Sequence, residues 1–393
     1  MKTLKIIHLS GFSKNKPQHH PAIGEDYYFV ASWAGLMARR LKKYKPEIDI
    51  EVWRAENEIK VKMENEVFNL KGIIWPYKYP VVKNVLTWEM IKRLNRLKKE
   101  YFIILHYHDL YNLRFVILMN LFCPGIKIVL SHHGGVPPLE KTLKAKLMKI
   151  FYNKHRISFI TYLSLSTKHF LESIKGHPSL KFLPVGADFN QMIPMDKTEL
   201  RKELGLESDK IYGIYVGSFY RLKSVDLILE IYNSLKSKYN FTVIFVGGSN
   251  TPDNDLYDEV IKSGCPWYGI VPWTEMVKYY NAADFYIHPA FNSNFGGLDV
   301  SWIEALACNK PVLSPQLAYL DFDYSELGVL IKNKKEAIEK TEWMINNYWR
   351  FTKCRETAQK YLDSNTTIME KLLNIYEEIY NKYNSYNEPS TGL

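Results

Sequence analysis

Short β-branched runs alternate with longer stretches of helical periodicity along the chain, and this alternation limits the possible folds more than any other feature. Such a pattern is typical of parallel sheets whose strands are joined by helices. It runs through the first half of the sequence and then starts again. We therefore predict two doubly wound α/β domains facing a cleft, with a ligand outside the carboxyl ends of both sets of strands.

The same pattern predicts the individual elements. In the first half, the predicted strands are Lys5–Leu9, Ile48–Arg54, Tyr101–His106, Lys127–Ser131 and Ser158–Tyr162. The predicted helices between them include Tyr27–Tyr44, Thr87–Lys99 and Lys141–Tyr152. In the second half, the predicted strands are Tyr212–Val216, Thr242–Val246 and Phe285–Ile287. The predicted helices there are Ser224–Lys238, Thr274–Asn281 and Ser301–Ala307.

Two further segments complete the predicted organisation. Residues Leu183–Pro194 contain a glycine and two prolines that interrupt the periodicity, as expected of a linker. Residues Thr366–Lys382 carry apolar side chains at helical spacing, which predicts a final amphipathic helix. We therefore expect domains at residues 1–190 and 191–365, followed by a C-terminal helix and tail at 366–393.

Charge is distributed unevenly along the chain. The net charge of +10 combines 31 Lys+Arg and 15 Asp+Glu in residues 1–190 with 21 and 27 in the remainder, balances of +16 and −6. A basic half suits nucleic acid, an anionic membrane or a phosphorylated partner. No zinc-finger spacing or RNA-binding aromatic motif accompanies the charge, so we expect no nucleic-acid partner.

Several other classes of protein are disfavoured. No apolar run approaches the ~18 residues of a membrane span, and the apolar run near the start is too short for a signal peptide. The four cysteines are scattered without a C-x-x-C pair, so we expect reduced thiols rather than a disulfide or zinc framework. These features favour a cytoplasmic protein.

A glycine followed by two cations marks the second half. Gly217, Arg221 and Lys223 come after the strand that ends at Val216 and lead into a helix. Glycine lets the backbone approach a ligand, and cations beside a helix N-terminus suit a pyrophosphate. A solvated turn with surface cations is the alternative interpretation.

A second glycine-containing loop lies further along. Gly296, Gly297, Leu298 and Asp299 lead into a helix, where backbone N–H groups face the positive end of the helix dipole. Glu304 lies one turn inside that helix, where a carboxylate can accept hydrogen bonds from two neighbouring hydroxyls, as on a ribose. Taken alone, a glutamate at this position is more often a solvated helix residue.

Together, the segments from Gly217 to Val312 resemble the donor-binding half of retaining GT-B glycosyltransferases of family 4. The resemblance implies two Rossmann-like domains, an N-terminal one that binds the acceptor and a C-terminal one that binds a nucleotide sugar. It matches Lys223 to the family's pyrophosphate lysine and Glu304 to its ribose-binding glutamate. Further matches are Gly217, Val246-Gly247-Gly248, Gly269 and the linker turn Gly186-Ala187-Asp188.

The chain departs from the family pattern at two positions. The family's pyrophosphate arginine falls on Ser218, so Arg221 would have to take its place. The first glutamate of the family's E-x7-E motif, which contacts the donor sugar, falls on Gly296. Asp299 or Asn294 would replace it only with a shifted loop.

Histidines are concentrated in the first half. His106-Tyr-His108-Asp109 lacks the D-H that completes the H-x-H-x-D-H site of binuclear hydrolases, so we expect no metal site. We expect the backbone at the end of a strand to satisfy His106 and His108. His133 resembles the family's T-x-H histidine, which faces the donor sugar. The resemblance also places Gly24 and Glu25 on the acceptor side.

The basic charge includes a segment, 141–156, that combines lysines with Leu143, Leu147, Ile150 and Phe151 on one side of a predicted helix. Such a composition suits an interfacial helix on anionic lipid. The alternative is a domain helix whose lysines reach solvent. We expect the apolar side to lie in the core and the lysines to contact a membrane surface.

The resemblance implies a retaining, hexosyltransferase-type enzyme that moves a sugar from a nucleotide diphosphate sugar to a hydroxyl acceptor. It implies no metal and no further cofactor. The excess of positive charge favours a lipid-linked acceptor or peripheral contact with the cytoplasmic face of a membrane. A nucleotide-sugar epimerase and a catalytically silent binding subunit are the alternatives. The base, the sugar and the acceptor stay open.

Overall fold

A computed structural model describes residues 2–10, 32–56, 62–67, 70–76, 80–82, 85–134, 137–248, 254–291 and 298–387. The chain forms two compact units. The first consists of Met1–Pro184 together with Met369–Leu393, and the second of Val185–Ile368. The division therefore falls a few residues before the boundary expected at 190, and the C-terminal segment belongs to the first unit.

The first unit is built on an eight-stranded sheet of order β10-β9-β8-β7-β1-β2-β4-β3, parallel except for β3. Its strands are β1 Thr3–Leu9, β2 Ile50–Glu56, β3 Met63–Val67, β4 Leu70–Pro76, β7 Tyr101–Tyr107, β8 Lys127–Ser131, β9 Phe159–Tyr162 and β10 Ser179–Phe182. A separate antiparallel pair joins β5 Pro80–Val82 to β6 Leu86–Thr87. The central strands are apolar along most of their length because helices cover the sheet.

Helices of the first unit begin at polar side chains that cap them. Ser32, Thr87, Asn112, Thr142 and Ser164 each accept a hydrogen bond from a backbone N–H in the first turn. The helices are α1 Trp33–Tyr44, α2 Trp88–Glu100, α3 Leu113–Phe122, α4 Leu143–Phe151 and α5 Leu165–Glu172. The apolar faces of α2, α3, α4 and α5 join the strands in one core.

The second unit has a five-stranded parallel sheet of order β12-β11-β13-β14-β15. The strands are β11 Ile211–Gly217, β12 Phe241–Gly247, β13 Phe285–Ile287, β14 Val312–Leu313 and β15 Gly328–Val329. The helices are α6 Lys197–Glu203, α7 Val225–Leu235, α8 Asn254–Lys262, α9 Met276–Ala282, α10 Val300–Ala307, α11 Glu336–Asn347 and α12 Cys354–Leu362. The positions where β11 and β12 end and α7 and α10 begin define the candidate site.

The last helix, α13 Thr367–Asn387, confirms the predicted amphipathic tail. Its apolar side chains Ile368, Leu372, Ile375, Tyr376 and Ile379 are buried. Beyond Met369 the helix packs on the first unit, where Tyr380 and Tyr383 lie against Phe102 of β7. Among the described residues, no helix combines the length and apolar character that crossing a bilayer requires.

The prediction of two parallel α/β domains is confirmed. Every predicted strand is present within two residues of its expected ends, whereas β3, β4, β5, β6, β10, β14 and β15 were not predicted. The predicted helix Tyr27–Tyr44 is observed from Trp33, and its first residues lie outside the described part of the chain.

Candidate functional site

Glycines from three segments meet at the carboxyl ends of β11 and β12. Gly217, Gly247 and Gly269 all have positive φ, of +148°, +105° and +61°. A Cβ atom on Gly247 would lie 2.5 Å from the carbonyl oxygen of Gly217. The backbone N–H of Gly247 donates to the carbonyl of Gly269 at 2.6 Å. The predicted glycines therefore form one close-packed border where side chains are excluded.

Lys223 lies beside this border. It ends the short 3-10 turn Arg221–Lys223, which connects β11 to α7 through Ser224 in the left-handed conformation. Its Nζ is 3.5 Å from Oδ1 of Asp299, and its side chain is 19% exposed. The turn thus holds the predicted pyrophosphate lysine next to the start of α10.

Asp299 is in contact with three polar side chains. Its Oδ2 lies 2.8 Å from Nε2 of His288 and 3.4 Å from Nε2 of Gln316, and its Oδ1 faces Lys223. Its backbone N–H donates to Oε1 of Gln316. Burial raises the pKa of Asp299, but His288, Lys223 and Gln316 outweigh this effect and hold the pKa well below its ordinary value. Asp299 is therefore a half-buried carboxylate ion beside the lysine.

Arg221 has a different environment from Lys223. It is exposed and forms ion pairs with Asp255 and Glu259, both on α8. These carboxylates raise the pKa of the Arg221 guanidinium. A pyrophosphate would have to compete with both acids for this side chain, so its assignment to the donor stays a prediction.

Glu304 is buried in α10, not solvated. Its Oε1 accepts a hydrogen bond from the indole N–H of Trp273, and its Oε2 accepts one from the hydroxyl of Tyr280, both at 2.7 Å. These two donors fix the orientation of the carboxylate inside the helix. The ribose assignment stays a prediction that this geometry permits.

The other predicted loop residues are only partly described. Leu298 is buried at the start of α10. Gly296, Gly297 and Asn294 lie outside the described residues, as do Gly24 and Glu25 of the expected acceptor side.

His133 in the first unit belongs to a cluster of histidines. Its Nε2 lies 2.8 Å from Nδ1 of His108, and its ring stacks on Trp33 with centroids 5.2 Å apart. Burial lowers the pKa of His133 to about 3, with smaller contributions in the same direction from His132 and His8. His133 is therefore a neutral imidazole at physiological pH.

The expectation that the backbone satisfies His106 and His108 is wrong. Both ring nitrogens of His106 contact hydroxyls, of Tyr376 and Ser131, and both ring nitrogens of His108 contact other histidines. Nitrogen atoms of His8, His106 and His108 lie within 4.8 Å of one another. The local sequence at the end of β7 gives no information about the partners of His106 and His108, which come from β1, β8 and α13.

The expected burial of the apolar side of α4 is wrong for two of its residues. Leu143 is 72% exposed and Ile150 is 61% exposed, whereas Ala145 and Met148 face the core. Lys144 and Lys146 are also exposed. The helix therefore presents leucine, isoleucine and lysine together to solvent, because the smaller Ala145 occupies the position that packs on the domain.

Four residues of the site were not predicted: His288, Gln316, Trp273 and Tyr280. The first two hold Asp299, and the last two hold Glu304. His288 directly follows the predicted strand Phe285–Ile287, and that position was the available signal. The other three have no local pattern that distinguishes them from core or surface residues.

Comparisons with known proteins agree with this geometry. Residues 196–361 match the family "Glycosyl transferases group 1". D-inositol 3-phosphate glycosyltransferase of Geodermatophilus obscurus is 25% identical over 170 residues, which cover 39% of this chain and 37% of that protein. The chain thus matches little more than a third of the length of this relative.

Two solved structures are similar over nearly the whole chain. Sucrose-phosphate synthase of Thermosynechococcus elongatus gives a TM-score of 0.67 at 14% identity, covering 97% of this chain and 100% of that one. Anabaena HepE in complex with UDP-glucose gives 0.62 at 13% identity, covering 98% and 100%. Residues 196–361 of the second unit thus match the group 1 glycosyltransferases, and the two solved structures show that the chain has the GT-B fold.

Proposed function

We propose that the chain transfers a sugar from a nucleotide diphosphate sugar to a hydroxyl acceptor with retention of configuration. The observation that carries this proposal is the pair Lys223–Asp299 beside the glycine border of β11 and β12. A cation held beside backbone that carries no side chains suits a diphosphate. The UDP-glucose bound in the structurally similar HepE supports a donor of this class.

Three side chains take roles toward the donor in this proposal. Lys223 binds the pyrophosphate, and Asp299 keeps the ammonium group in place before the donor arrives. Glu304 accepts hydrogen bonds from ribose hydroxyls, with Trp273 and Tyr280 fixing its orientation. Because these groups are positioned by the fold, little reorganisation is needed when charge develops on the leaving phosphate.

The proposed reaction needs no protein nucleophile. The sugar–phosphate bond breaks, the leaving diphosphate takes the proton of the acceptor hydroxyl, and the new glycosidic bond forms on the same face of the sugar. The protein contributes positioning and stabilisation of charge. In this proposal, neutral His133 hydrogen-bonds the donor sugar from the first unit.

A thermal-shift screen with UDP, GDP, ADP and their sugars tests the donor class. A ligand that binds the folded state alone raises the apparent melting temperature, and the stabilisation grows with the logarithm of one plus the ratio of its concentration to Kd. We expect the nucleoside diphosphate and the nucleotide sugar of one base to raise the melting temperature clearly. The monophosphate of the same base, measured alongside them, should raise it less. Equal shifts for monophosphate and diphosphate would contradict a pyrophosphate site.

Incubation with the identified donor then separates the alternative functions. A retaining transferase gives a product with the anomeric configuration of the donor, read from the proton coupling constant by NMR. An isomerised donor without acceptor identifies an epimerase instead. Donor binding without transfer or hydrolysis in any extract identifies a silent binding subunit.

We also propose that α4 contacts an anionic membrane surface, which would bring the enzyme to a lipid-linked acceptor. Leu139 is 79% exposed, Leu143 72% and Ile150 61%, and Lys144 and Lys146 lie beside them. Exposed apolar side chains insert at the headgroup boundary, while each lysine near an anionic surface contributes about 1 kcal/mol.

Flotation with phosphatidylglycerol vesicles tests this surface. We expect binding that weakens with salt, and that falls when Leu143→Ser and Ile150→Ser are combined. Ile261→Ser is the matched control, since Ile261 is an exposed isoleucine on α8 of the second unit. Equal binding to phosphatidylcholine vesicles, or an equal loss with the control, would reject the proposal.

A further inference from the structure

Side chains of the first unit form an unbroken chain of hydrogen bonds that begins at His133. Nε2 of His133 lies 2.8 Å from Nδ1 of His108, and Nε2 of His108 lies 2.9 Å from Nδ1 of His8. The other nitrogen of His8, Nε2, lies 2.8 Å from the hydroxyl of Tyr376. Three rings and one phenol are therefore linked in series.

The chain continues beyond Tyr376. The same hydroxyl contacts Nδ1 of His106, and Nε2 of His106 lies 2.6 Å from Oγ of Ser131. Oγ of Ser131 lies 2.7 Å from Oγ1 of Thr161. Tyr376 thus divides the series into two halves. One half leads through His8 and His108 to His133, and the other leads through His106 to the hydroxyls of Ser131 on β8 and Thr161 on β9.

The environment keeps the four histidines neutral. Burial is the largest cause that lowers the pKa of His8 to about 3, despite a hydrogen bond with the backbone of Ala34. Burial likewise lowers the pKa of His106 and His108 well below the ordinary value, and neighbouring histidines act in the same direction. A second proton on any of these rings is therefore unfavourable.

A neutral imidazole has one N–H donor and one lone-pair acceptor, and a hydroxyl donates one proton. Each bond in the series needs one proton. Among the described residues, the buried hydroxyl of Tyr376 has His106 and His8 as its partners, so it donates to one and accepts from the other, and the donors then all point the same way along the series. If His133 donates from Nε2, then His108, His8 and His106 also donate from Nε2. If the direction is reversed, all four rings carry their proton on Nδ1.

We propose that His133, His108, His8, Tyr376 and His106 form a proton-ordered array that fixes the tautomer of His133. Within the described residues, Nδ1 of His133 is buried without a hydrogen-bond partner, so it is the open end of the array. The direction of the array decides whether this nitrogen offers a proton or a lone pair. His108, His8 and Tyr376 are then positioning residues for His133.

A metal ion is the competing use of the same histidines, since three of their nitrogen atoms are close together. Both ring nitrogens of His8, His106 and His108 already make hydrogen bonds within the series. A cation would have to displace some of these bonds, whereas the array satisfies them all. The hydrogen bonds therefore favour the array over a metal site, and a measurement of bound zinc distinguishes the two.

Long-range ¹H–¹⁵N correlation spectra of the full chain with ¹⁵N-labelled histidine read the tautomer of each ring. At pH 7.5 we expect His8, His106, His108 and His133 to be neutral and to share one tautomer, assigned through single His→Gln variants. A mixture of Nδ1-H and Nε2-H rings among the four overturns the array. Stoichiometric zinc in the purified protein, with zinc-shifted nitrogen resonances, also overturns it.

Tyr376→Phe removes the hydroxyl that joins the two halves and keeps the buried ring. We expect the tautomer of His106 to become independent of the other three rings, with mixed populations in at least one half. Tyr380→Phe is the matched control, because its hydroxyl donates to the carbonyl of Lys2 outside the array. Identical tautomer populations in wild type and Tyr376→Phe would overturn the coupling.

The link from the array to catalysis rests on the proposed function, and kinetics tests it separately. We expect Tyr376→Phe to lower kcat on the order of tenfold with little change in KM for the nucleotide sugar. This is less than the roughly 10²–10⁴-fold that a positioned acid or base contributes, because His133 itself is retained. If tautomers uncouple while kcat is unchanged, the array stands and the role of His133 in transfer is refuted.

Discussion

At the scale of single residues, Asp299 organises the candidate donor site. It is half-buried against Lys223, His288 and Gln316, and these groups keep it ionised by lowering its pKa. Lys223 therefore faces a fixed negative charge when no donor is bound. Because a diphosphate carries more negative charge than one carboxylate, it can displace this contact and take the ammonium group.

Substitution of Asp299 tests this organisation. Asp299→Asn keeps the size of the side chain but removes the charge that holds Lys223. We expect the donor to bind more weakly by about tenfold, since preorganisation of the lysine is lost. Isothermal titration calorimetry with the diphosphate measures the change, and Asp323→Asn, an exposed aspartate of the same unit, is the control. Equal or tighter binding by Asp299→Asn would show that the carboxylate only competes with the ligand.

The glycine border makes a stability prediction at the same scale. Gly247 and Gly264 both have positive φ, but a Cβ atom would clash only at Gly247, 2.5 Å from the Gly217 carbonyl. We expect Gly264→Ala to cost about 1 kcal/mol from backbone strain alone, and Gly247→Ala at least about 2 kcal/mol more. Urea unfolding measures both. Equal losses for the two variants would contradict the close approach of β11 and β12.

At the scale of elements, the strands and helices of each domain follow from local sequence patterns. The predicted strands were found because their apolar runs are continuous, as buried parallel strands require. Strand β3, with the sequence MENEV, has charged or polar residues at its three central positions and pairs antiparallel with β4. Strands β14 and β15 have two residues each, too few for a pattern.

The candidate donor site could be predicted from the sequence about as fully as the strands and helices. Lys223, Glu304 and the glycines follow from ordered motifs within about a hundred residues. The partners of these residues come from other elements without motifs of their own. The histidine array was not predictable, because His8 and Tyr376 are separated by 368 positions and only the tertiary fold brings them together.

The histidine cluster on β1, β7 and β8 makes the chain sensitive to acid. Folding keeps these rings neutral, while the unfolded chain takes up a proton on each near its ordinary pKa of 6.5. The unfolded state therefore binds more protons between about pH 3 and 6.5, so the free energy of unfolding falls as the pH drops through this window. The slope approaches about 1.4 kcal/mol per pH unit for each fully protonated histidine.

Urea unfolding at pH 8.5, 7.5, 6.5, 5.5 and 5.0 measures this dependence. We expect little change between pH 7.5 and 8.5 and a progressive loss below pH 6.5. The variant His8→Asn should be less stable at pH 7.5 and should show a smaller slope. A stability that is constant down to pH 5 would show that the histidines can be charged in the folded state.

At the scale of the whole molecule, the chain forms two units that are not continuous in sequence. The last helix leaves the second unit at Ile368 and adds its buried side chains to the first. Tyr376 of this helix also completes the hydrogen-bonded array. The C-terminal segment is therefore part of the fold of the first unit, although it follows the second unit in sequence.

Hydrogen exchange tests this organisation. Ile375→Ala removes buried apolar volume from α13 and should destabilise its unit by about 2–5 kcal/mol. We expect faster exchange in β1 and β7, with β11 and β12 unchanged. Asn374→Ala, at an exposed position of the same helix, is the control. Faster exchange in β11 and β12 alone would contradict the assignment of the helix to the first unit.

The central claim is that Lys223 binds the pyrophosphate of a nucleotide sugar, and calorimetry on Lys223→Ala tests it most directly. A charge-assisted hydrogen bond contributes about 1.5–3 kcal/mol, so we expect Kd for the diphosphate to rise by at least about tenfold. Lys236→Ala, an exposed lysine at the end of α7, should leave Kd unchanged. Unchanged diphosphate affinity in a folded Lys223→Ala variant would contradict the proposed donor site.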